Sequence, residues 1–157
     1  MELFQRGLAP RLVLSVSRFD VRHAAALLPG GEELIRLRDQ TPPEKRHFWM
    51  EFQGSRRSIS QAGVQRTGTY GELKAIGEYL ALQPPATIAF VSTSIHLRRV
   101  RFCCRRIPFF LGKRVCFWAV PEGMSSFQRA TWWKHPGGWR YLVSEYAKLA
   151  GYRLKYG

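Results

Sequence analysis

Short apolar runs alternate with longer amphipathic segments along the chain. Three runs have the length and the β-branched or aromatic content of buried strands, and they occupy residues 11–16 (RLVLSV), 86–93 (ATIAFVST) and 114–120 (RVCFWAV). Helical patterns follow the first two runs, and another helical pattern covers residues 68–81. Strands separated by helices predict right-handed crossovers and a mostly parallel sheet covered on both faces. The pattern therefore predicts the α/β fold class.

Residues 47–62 carry a different pattern. HFWMEF and SRRSISQ alternate apolar and polar side chains on either side of Gly54, which is typical of a β-hairpin. We interpret this segment as a hairpin inserted in the α/β domain.

The C-terminal segment combines a helical pattern with many aromatic side chains. Five apolar residues recur at helical spacing: Trp139, Leu142, Val143, Tyr146 and Leu149. They predict a helix over residues 139–150 whose apolar face packs in the core. Glu145 is the single acidic residue of that helix, and we expect it to pair with a base such as Lys148 or to point into a binding crevice.

Composition and charge narrow the class of protein. A chain of 157 residues, 45% of them hydrophobic, has room for one packed domain over residues 1–157. The net charge of +14 predicts an anionic partner, which is a phosphate-bearing small molecule, nucleic acid or a membrane surface.

Three cysteines show no disulfide framework and no metal-binding spacing, so a reducing compartment is favoured and no metal site is predicted. No signal peptide opens the chain and no apolar run reaches roughly 18 residues, which indicates a soluble, cytoplasmic chain.

Hydroxyl and basic side chains follow the strand predicted over residues 86–93. In an open parallel sheet, ligands bind outside the carboxyl ends of the strands. Ser92, Thr93 and His96 lie at such an end and at the start of the next helix, where free amides and the helix macrodipole favour an anion. Arg98 or Arg99 would add a bidentate contact. The loops at 15–18 and 121–126 would border the same crevice.

These residues also have structural interpretations. Ser94 would cap the helix, and the arginines would then form a solvated face. Thr69 and Glu72 have the spacing of a capping box, although a carboxylate at the mouth of the crevice would also serve as a general base or bind a ribose hydroxyl. Ser15 follows the first strand but lacks the GxSxG elbow of serine hydrolases.

Three passages together resemble a known family. The similar passages are the apolar strand followed by VSTSIHLRRV (91–100), the helix start GTYGEL (68–73) and the segment ELFQRGLAPRLVLSV (2–16). In these passages the chain resembles the YdcF-like family, which includes the SanA and ElyC envelope proteins. In that family a strand ends in small hydroxyl residues, and a histidine and an arginine follow. By position, His96 and Arg99 correspond to that histidine and arginine.

The resemblance implies a Rossmann-like three-layer sandwich with a polar pocket, in bacterial cell-envelope or peptidoglycan-related physiology. It implies neither a particular cofactor nor a settled reaction. We expect Ser15, Thr69, Ser92, Thr93 and Arg99 to be ligand-binding residues at this pocket. His96 would position the anion or act as acid or base, and Glu72 is the second candidate acid or base.

The chain also departs from the family pattern. Ser15, Val16 and Ser17 stand where the family has a serine followed by glycine, and Arg66 replaces a serine before the threonine turn. The chain begins near the end of the family's first helix, so we expect the first strand of the sheet to be missing. Association with the inner membrane would then depend on an anchor in a missing N-terminal segment.

Two functions follow from these expectations. The first is a YdcF-like domain that binds an anionic small molecule, either nucleotide-like or a phosphate-bearing envelope precursor, with hydrolase or transferase activity. The alternative is a non-enzymatic basic module that binds nucleic acid or an anionic membrane through its arginines and terminal aromatic residues. Nucleic acid is the less favoured partner.

Overall fold

The computed structural model describes residue 4 and residues 6–64, 68–121 and 130–157. The fold is mixed α/β, as predicted. The contacts within the chain define two compact units, Met1–Gln65 (unit 1) and Arg66–Gly157 (unit 2).

Unit 1 is a three-stranded antiparallel sheet with two helices. Its elements are β1 (Arg11–Ser17), α1 (Val21–Leu27), α2 (Gly31–Gln40), β2 (His47–Gln53) and β3 (Arg56–Gln61). The strand order is β1-β2-β3. The hairpin predicted over 47–62 is present as β2 and β3, and Gly54 takes the positive φ of 57° in its turn.

The first strand has a different partner from the one predicted. β1 runs antiparallel to β2, with Leu14 opposite Met50, so the hairpin is part of the sheet of this unit. A mostly parallel Rossmann-like sandwich is therefore not confirmed in the described residues. An apolar run indicates that a strand is buried, but strand direction and partner depend on contacts distant in the sequence.

The core of unit 1 lies between this sheet and the two helices. Phe48, Met50 and Phe52 project from alternate positions of β2 and pack with Val21 and Leu34 of the helices. Leu34, Phe48 and Met50 are fully buried. Helix α2 places Glu32 and Glu33 in its first turn and Arg38 in its last turn, charges that complement the helix dipole.

Unit 2 contains three helices and a parallel strand pair. Its elements are α3 (Thr69–Ala81), β4 (Thr87–Ser92), α4 (Ser94–Cys104), β5 (Arg114–Ala119) and α5 (Pro136–Tyr156). Strands β4 and β5 are parallel and pair from Thr87 with Arg114 to Ser92 with Ala119. Val91 and Trp118 are partners in this register and remain 53% and 46% exposed. One face of this pair is therefore open, whereas the predicted sheet had both faces covered.

The core of unit 2 confirms the predicted inner faces of α3 and α4. Leu73 and Leu80 of α3 pack with Val100 and Cys104 of α4 in one cluster. Gly77 allows α3 to approach Phe109 closely, since a Cβ atom at this position would lie 3.2 Å from the Cβ of Phe109.

The helix starts differ from the predicted caps. Gly68 is the N-cap of α3, and Thr69 is its first helical residue. Thr93 is the N-cap of α4, and Ser94 is its first helical residue. Neither N-cap uses a side-chain hydrogen bond, so the predicted capping box of Thr69 and Glu72 is not formed.

The predicted core face of the last helix is wrong. Helix α5 continues through Gly151 to Tyr156, and Trp139, Val143 and Tyr146 are 43–60% exposed. Glu145 is the buried residue of this helix, at 6% exposure. Its burial depends on ionic partners of α4, which periodicity does not reveal. Among the helices of the described ranges, none combines the length and the apolar character needed to cross a membrane.

Candidate functional site

The candidate site lies at the carboxyl end of β4, within unit 2. The Ser92 carbonyl accepts a hydrogen bond from the Val120 amide at 3.0 Å, which holds the end of β4 against the end of β5. Thr93 follows in an extended conformation and turns the chain into α4. The Thr93 hydroxyl lies 2.6 Å from the hydroxyl of Tyr141 and does not cap the helix. The first-turn amides of α4 therefore have no side-chain acceptor from their N-cap, and such amides attract anions.

His96, Arg99 and Glu145 form an ion cluster one turn into α4. One terminal nitrogen of Arg99 lies 2.8 Å from His96 Nδ1 and 3.2 Å from Glu145 Oε2. Arg99 and Glu145 are buried, at 8% and 6% exposure, and His96 is partly buried. Residues three apart on a helix share a face, so the sequence spacing of His96 and Arg99 brings them together without help from the rest of the fold.

The contacts of the ion cluster determine the protonation of His96. A guanidinium can only donate, so Nδ1 must accept from Arg99 and the proton of the neutral ring resides on Nε2. Glu145 Oε2 lies 3.5 Å from the same Nδ1 and would bind it only if it carried a proton. The shorter Arg99 contact decides between these two arrangements, because hydrogen bonds weaken at longer distance.

The pKa of His96 agrees with this geometry. Burial is the largest influence and lowers the pKa below its ordinary value of 6.5, and the charge of Arg99 lowers it further. Glu145 and Glu72 act in the opposite direction without reversing the shift. His96 is therefore neutral near pH 7, with its Nε2–H available as a hydrogen-bond donor.

Glu145 is the residue that connects the two helices of the site. Lys148 Nζ binds its other oxygen, Oε1, at 3.0 Å, so a single carboxylate faces Arg99 on one side and Lys148 on the other. Sequence reasoning identified Glu145 as the one acid of its helix and expected it to pair with Lys148 or enter the crevice. It pairs with Lys148, and it also neutralises Arg99.

Thr69 and Glu72 belong to α3 of the same unit. Thr69 is buried and Glu72 is partly buried. The charge of Glu72 raises the pKa of His96, so it acts on the ion cluster through electrostatics. The role of Glu72 as acid or base stays a prediction, and neither α3 residue has the predicted capping role.

Ser15 belongs to unit 1 and is held by a different partner. Its exposed hydroxyl lies 2.7 Å from Nε2 of His47, which is in the neighbouring strand. Of the predicted loop at 121–126, only Pro121 is within the described residues, and Arg66 is outside them. The site that the structure assembles therefore consists of unit 2 residues.

The buried cysteine thiols lie in apolar surroundings, and the side chains that could bind a metal ion lie apart from one another in the described ranges. Burial raises the pKa of the Cys103 thiol to about 11 and that of Cys104 to about 12, so both stay protonated at neutral pH. Within residues 6–64, 68–121 and 130–157, no group of three His, Cys, Asp or Glu side chains is arranged to hold a metal ion.

Comparison with protein-family models, with curated proteins and with solved structures finds no match for this chain.

Proposed function

We propose that the chain is a YdcF-like domain with a Rossmann-like core, and that unit 2 binds an anionic small molecule at the start of α4. The ligand is nucleotide-like or a phosphate-bearing envelope precursor. The observation that supports this proposal most directly is the neutral, partly buried His96, held by Arg99 beside helix amides that the N-cap side chain of Thr93 does not cap. Ser92 and Thr93 supply the polar turn before those amides.

Each residue has a distinct role in this proposal. The first-turn amides and the positive end of the α4 dipole hold the anion. His96 donates a hydrogen bond to the anion from Nε2, because Arg99 occupies Nδ1. Arg99 is a positioning residue, since its charge is matched by Glu145 and its guanidinium orients the imidazole. Hydrolysis or group transfer would require a general base, and Glu72 is the candidate for that role.

The proposal is tested by ligand binding to matched variants. Orthophosphate, nucleotides, sugar phosphates and lipid-linked phosphate precursors are screened by thermal shift, and binding is then measured by calorimetry. His96→Ala should weaken the best ligand about tenfold or more, as expected for one hydrogen bond to a charged group. The control is His135→Ala, a substitution of an exposed histidine in the same unit. Equal affinity in the wild type and in His96→Ala for every ligand, or no binding at all, would exclude this function.

A second candidate function follows from the exposed aromatic and basic residues of unit 2. Trp118, Trp133 and Trp139 are 46–51% exposed, and the net charge of the chain is +14. Aromatic faces beside cations can stack on the bases of single-stranded nucleic acid or enter a membrane interface. We propose nucleic acid or an anionic membrane as the partner in this second case.

Two arginines of unit 2, Arg106 and Arg101, make contacts that stabilise the fold. The guanidinium of Arg106 lies 3.7 Å from the ring centre of Phe102 and donates to the carbonyl of Tyr156 at 2.6 Å. The guanidinium of Arg101 lies 4.9 Å from the ring centre of Phe117. Charge reversal at the exposed Arg105 is therefore a cleaner test than reversal at Arg106. If Arg105→Glu abolishes salt-sensitive binding to an oligonucleotide or anionic vesicle while His96→Ala changes nothing, the second function holds.

A further inference from the structure

A second basic surface lies in unit 1 and is independent of the proposed function. It is an open groove of about 430 Å³. Its walls are the loop after β1, the first turn of α1, the end of α2 and the residue before β2. The side chains that line it include four arginines, one acid and one aromatic residue: Arg18, Arg22, Arg38, Arg46, Asp39 and Phe19. We name it the arginine groove.

The charges of the arginine groove are unbalanced. Among the described residues, Asp39 is the one acidic side chain that lines the groove, and its Oδ1 accepts from Nε and a terminal nitrogen of Arg38 at 2.8 and 2.7 Å. The carboxylate of Asp20, which lies next to the groove residues in the sequence, accepts from the Ser17 hydroxyl and does not line the groove. Four guanidinium groups and one carboxylate leave three positive charges in one concave surface.

Two of the arginines are held in place by contacts that leave guanidinium nitrogens available to donate hydrogen bonds to a ligand. Arg46 donates from Nε to the carbonyl of Thr41 at 2.8 Å, and the Thr41 hydroxyl donates to the carbonyl of Leu37 at the end of α2. The guanidinium of Arg18 lies 4.6 Å from the ring centre of Phe19. Among the described residues, no hydrogen bond or ion pair satisfies the terminal nitrogens of Arg46, or any guanidinium nitrogen of Arg18 and Arg22.

This arrangement is unfavourable without an anion and favourable with one. Like charges that share a concave surface repel each other, and the repulsion is removed when a ligand of opposite charge binds. Guanidinium groups match the oxygens of a phosphate in bidentate geometry. A single phosphate carries too little charge to neutralise three cations, whereas two linked phosphates carry enough.

We infer that the arginine groove binds a small molecule that carries a diphosphate or a longer phosphate chain. The volume lies within the range of small-molecule pockets. Phe19 is 79% exposed at the rim, which provides an apolar surface for an organic group attached to the phosphates. The arginines contact the phosphates, and the groove discriminates against monophosphates by charge.

The test is calorimetric titration of the whole chain with inorganic pyrophosphate, tripolyphosphate and orthophosphate at one fixed ionic strength. Pyrophosphate and tripolyphosphate should bind more tightly than orthophosphate. Arg18→Gln and Arg22→Gln should each raise the Kd for pyrophosphate about tenfold. Arg56→Gln is the matched control, because Arg56 is an exposed arginine of β3 in the same unit and does not line the groove.

The outcomes separate this site from the site at the start of α4. Pyrophosphate binding that persists in His96→Ala and is weakened by Arg18→Gln and Arg22→Gln supports the arginine groove. Absence of saturable pyrophosphate binding, equal weakening by Arg56→Gln, or loss of binding in His96→Ala would each overturn it. Tighter binding to a single-stranded oligonucleotide, with the loss spread equally over Arg18→Gln and Arg56→Gln, would overturn it in favour of a nucleic-acid surface.

Discussion

The two basic regions of this molecule contain the same residue type in opposite surroundings. In the ion cluster, Arg99 is buried and faces the buried carboxylate of Glu145. In the arginine groove, Arg18 and Arg22 are exposed, and no described acid pairs with them. An arginine with a buried counter-charge contributes to the fold, whereas an unpaired group of arginines leaves binding capacity for an external anion.

Local sequence does not distinguish these regions. Both lie in segments rich in arginine that follow a short strand, and both helices begin shortly after a serine. The difference comes from Glu145, which lies 46 residues beyond Arg99 in the sequence and reaches it only in the folded chain.

The largest effect is expected for Glu145→Gln. It should lower the free energy of unfolding by about 3–5 kcal/mol, because Arg99 is then a buried cation without a counter-charge. Urea unfolding followed by tryptophan fluorescence measures this change. Glu78→Gln is the control, since its pair with Lys74 is more than 60% exposed and its loss should cost less than about 1 kcal/mol.

A double variant sharpens the same prediction. Replacing Arg99 and Glu145 together by Met and Leu should recover most of the stability that Glu145→Gln loses, because no buried charge is left unpaired. If Glu145→Gln is no more destabilising than Glu78→Gln, the ion cluster does not have the burial described for it.

The second prediction concerns pH. Since burial lowers the pKa of His96 below 6.5, the unfolded chain binds a proton there that the folded chain does not. The free energy of unfolding should therefore decrease as the pH falls below 6.5, until the pH reaches the folded-state pKa of His96. Above 6.5 this contribution is constant.

Proton NMR measures this pKa directly. The ring resonance that His96→Gln removes should titrate with a midpoint below 6.5. Arg99→Gln should raise that midpoint, and Glu145→Gln should lower it, because the two charges act in opposite directions on the imidazole. A wild-type midpoint at or above 6.5 would contradict the neutral imidazole and the role proposed for Nε2–H.

The third prediction compares neighbouring arginines of α4. Arg98 is exposed and contacts the exposed Tyr146, whereas Arg99 is buried. Arg98→Ala should change the free energy of unfolding by about 0.5 kcal/mol or less, and Arg99→Ala should destabilise the fold several times more. Equal effects in urea unfolding would show that burial does not separate the two residues.

The smallest effect is expected in the arginine groove. Arg18→Gln and Arg22→Gln should leave the melting temperature unchanged or raise it slightly at low salt, because each removes repulsion between like charges. The difference from the wild type should disappear as salt is added, since exposed charges are screened. A clear drop in melting temperature would show that these arginines stabilise unit 1 and are not held for a ligand.

The sequence predicted individual helices and strands more accurately than it predicted which of them pair or pack together. The hairpin, the strand at Arg114–Ala119 and the inner face of α4 are confirmed, because each follows from a period of two or of 3.6 residues. The parallel arrangement of the first strand was wrong, because β1 pairs with the hairpin and no local pattern specifies that choice. The apolar stripe of α5 was also misread, since its aromatic residues are largely exposed and its one acid is buried.

The candidate site shows the same division. His96 and Arg99 were assigned to one pocket by their position after the strand and by the family resemblance, and their contact at 2.8 Å is consistent with their spacing of three residues on α4. Ser15 was grouped with them because the first strand was expected in the same sheet, yet its unit is a separate one. The arginine groove was not predicted, although the loop at 15–18, which contains Arg18, was expected to border a binding crevice. No spacing signals a groove assembled from four separate segments of the chain.

The amino-acid sequence by itself determined the α/β class, the positions of most helices and strands, the strong positive charge and the shared helix face of His96 and Arg99. These properties depend on composition or on residues within one or two turns of each other. Only the tertiary structure decided the direction of β1, the burial of Glu145 and which arginines have counter-charges. Those outcomes depend on contacts between distant segments, where burial and partner charge, and not periodicity, set the free energy.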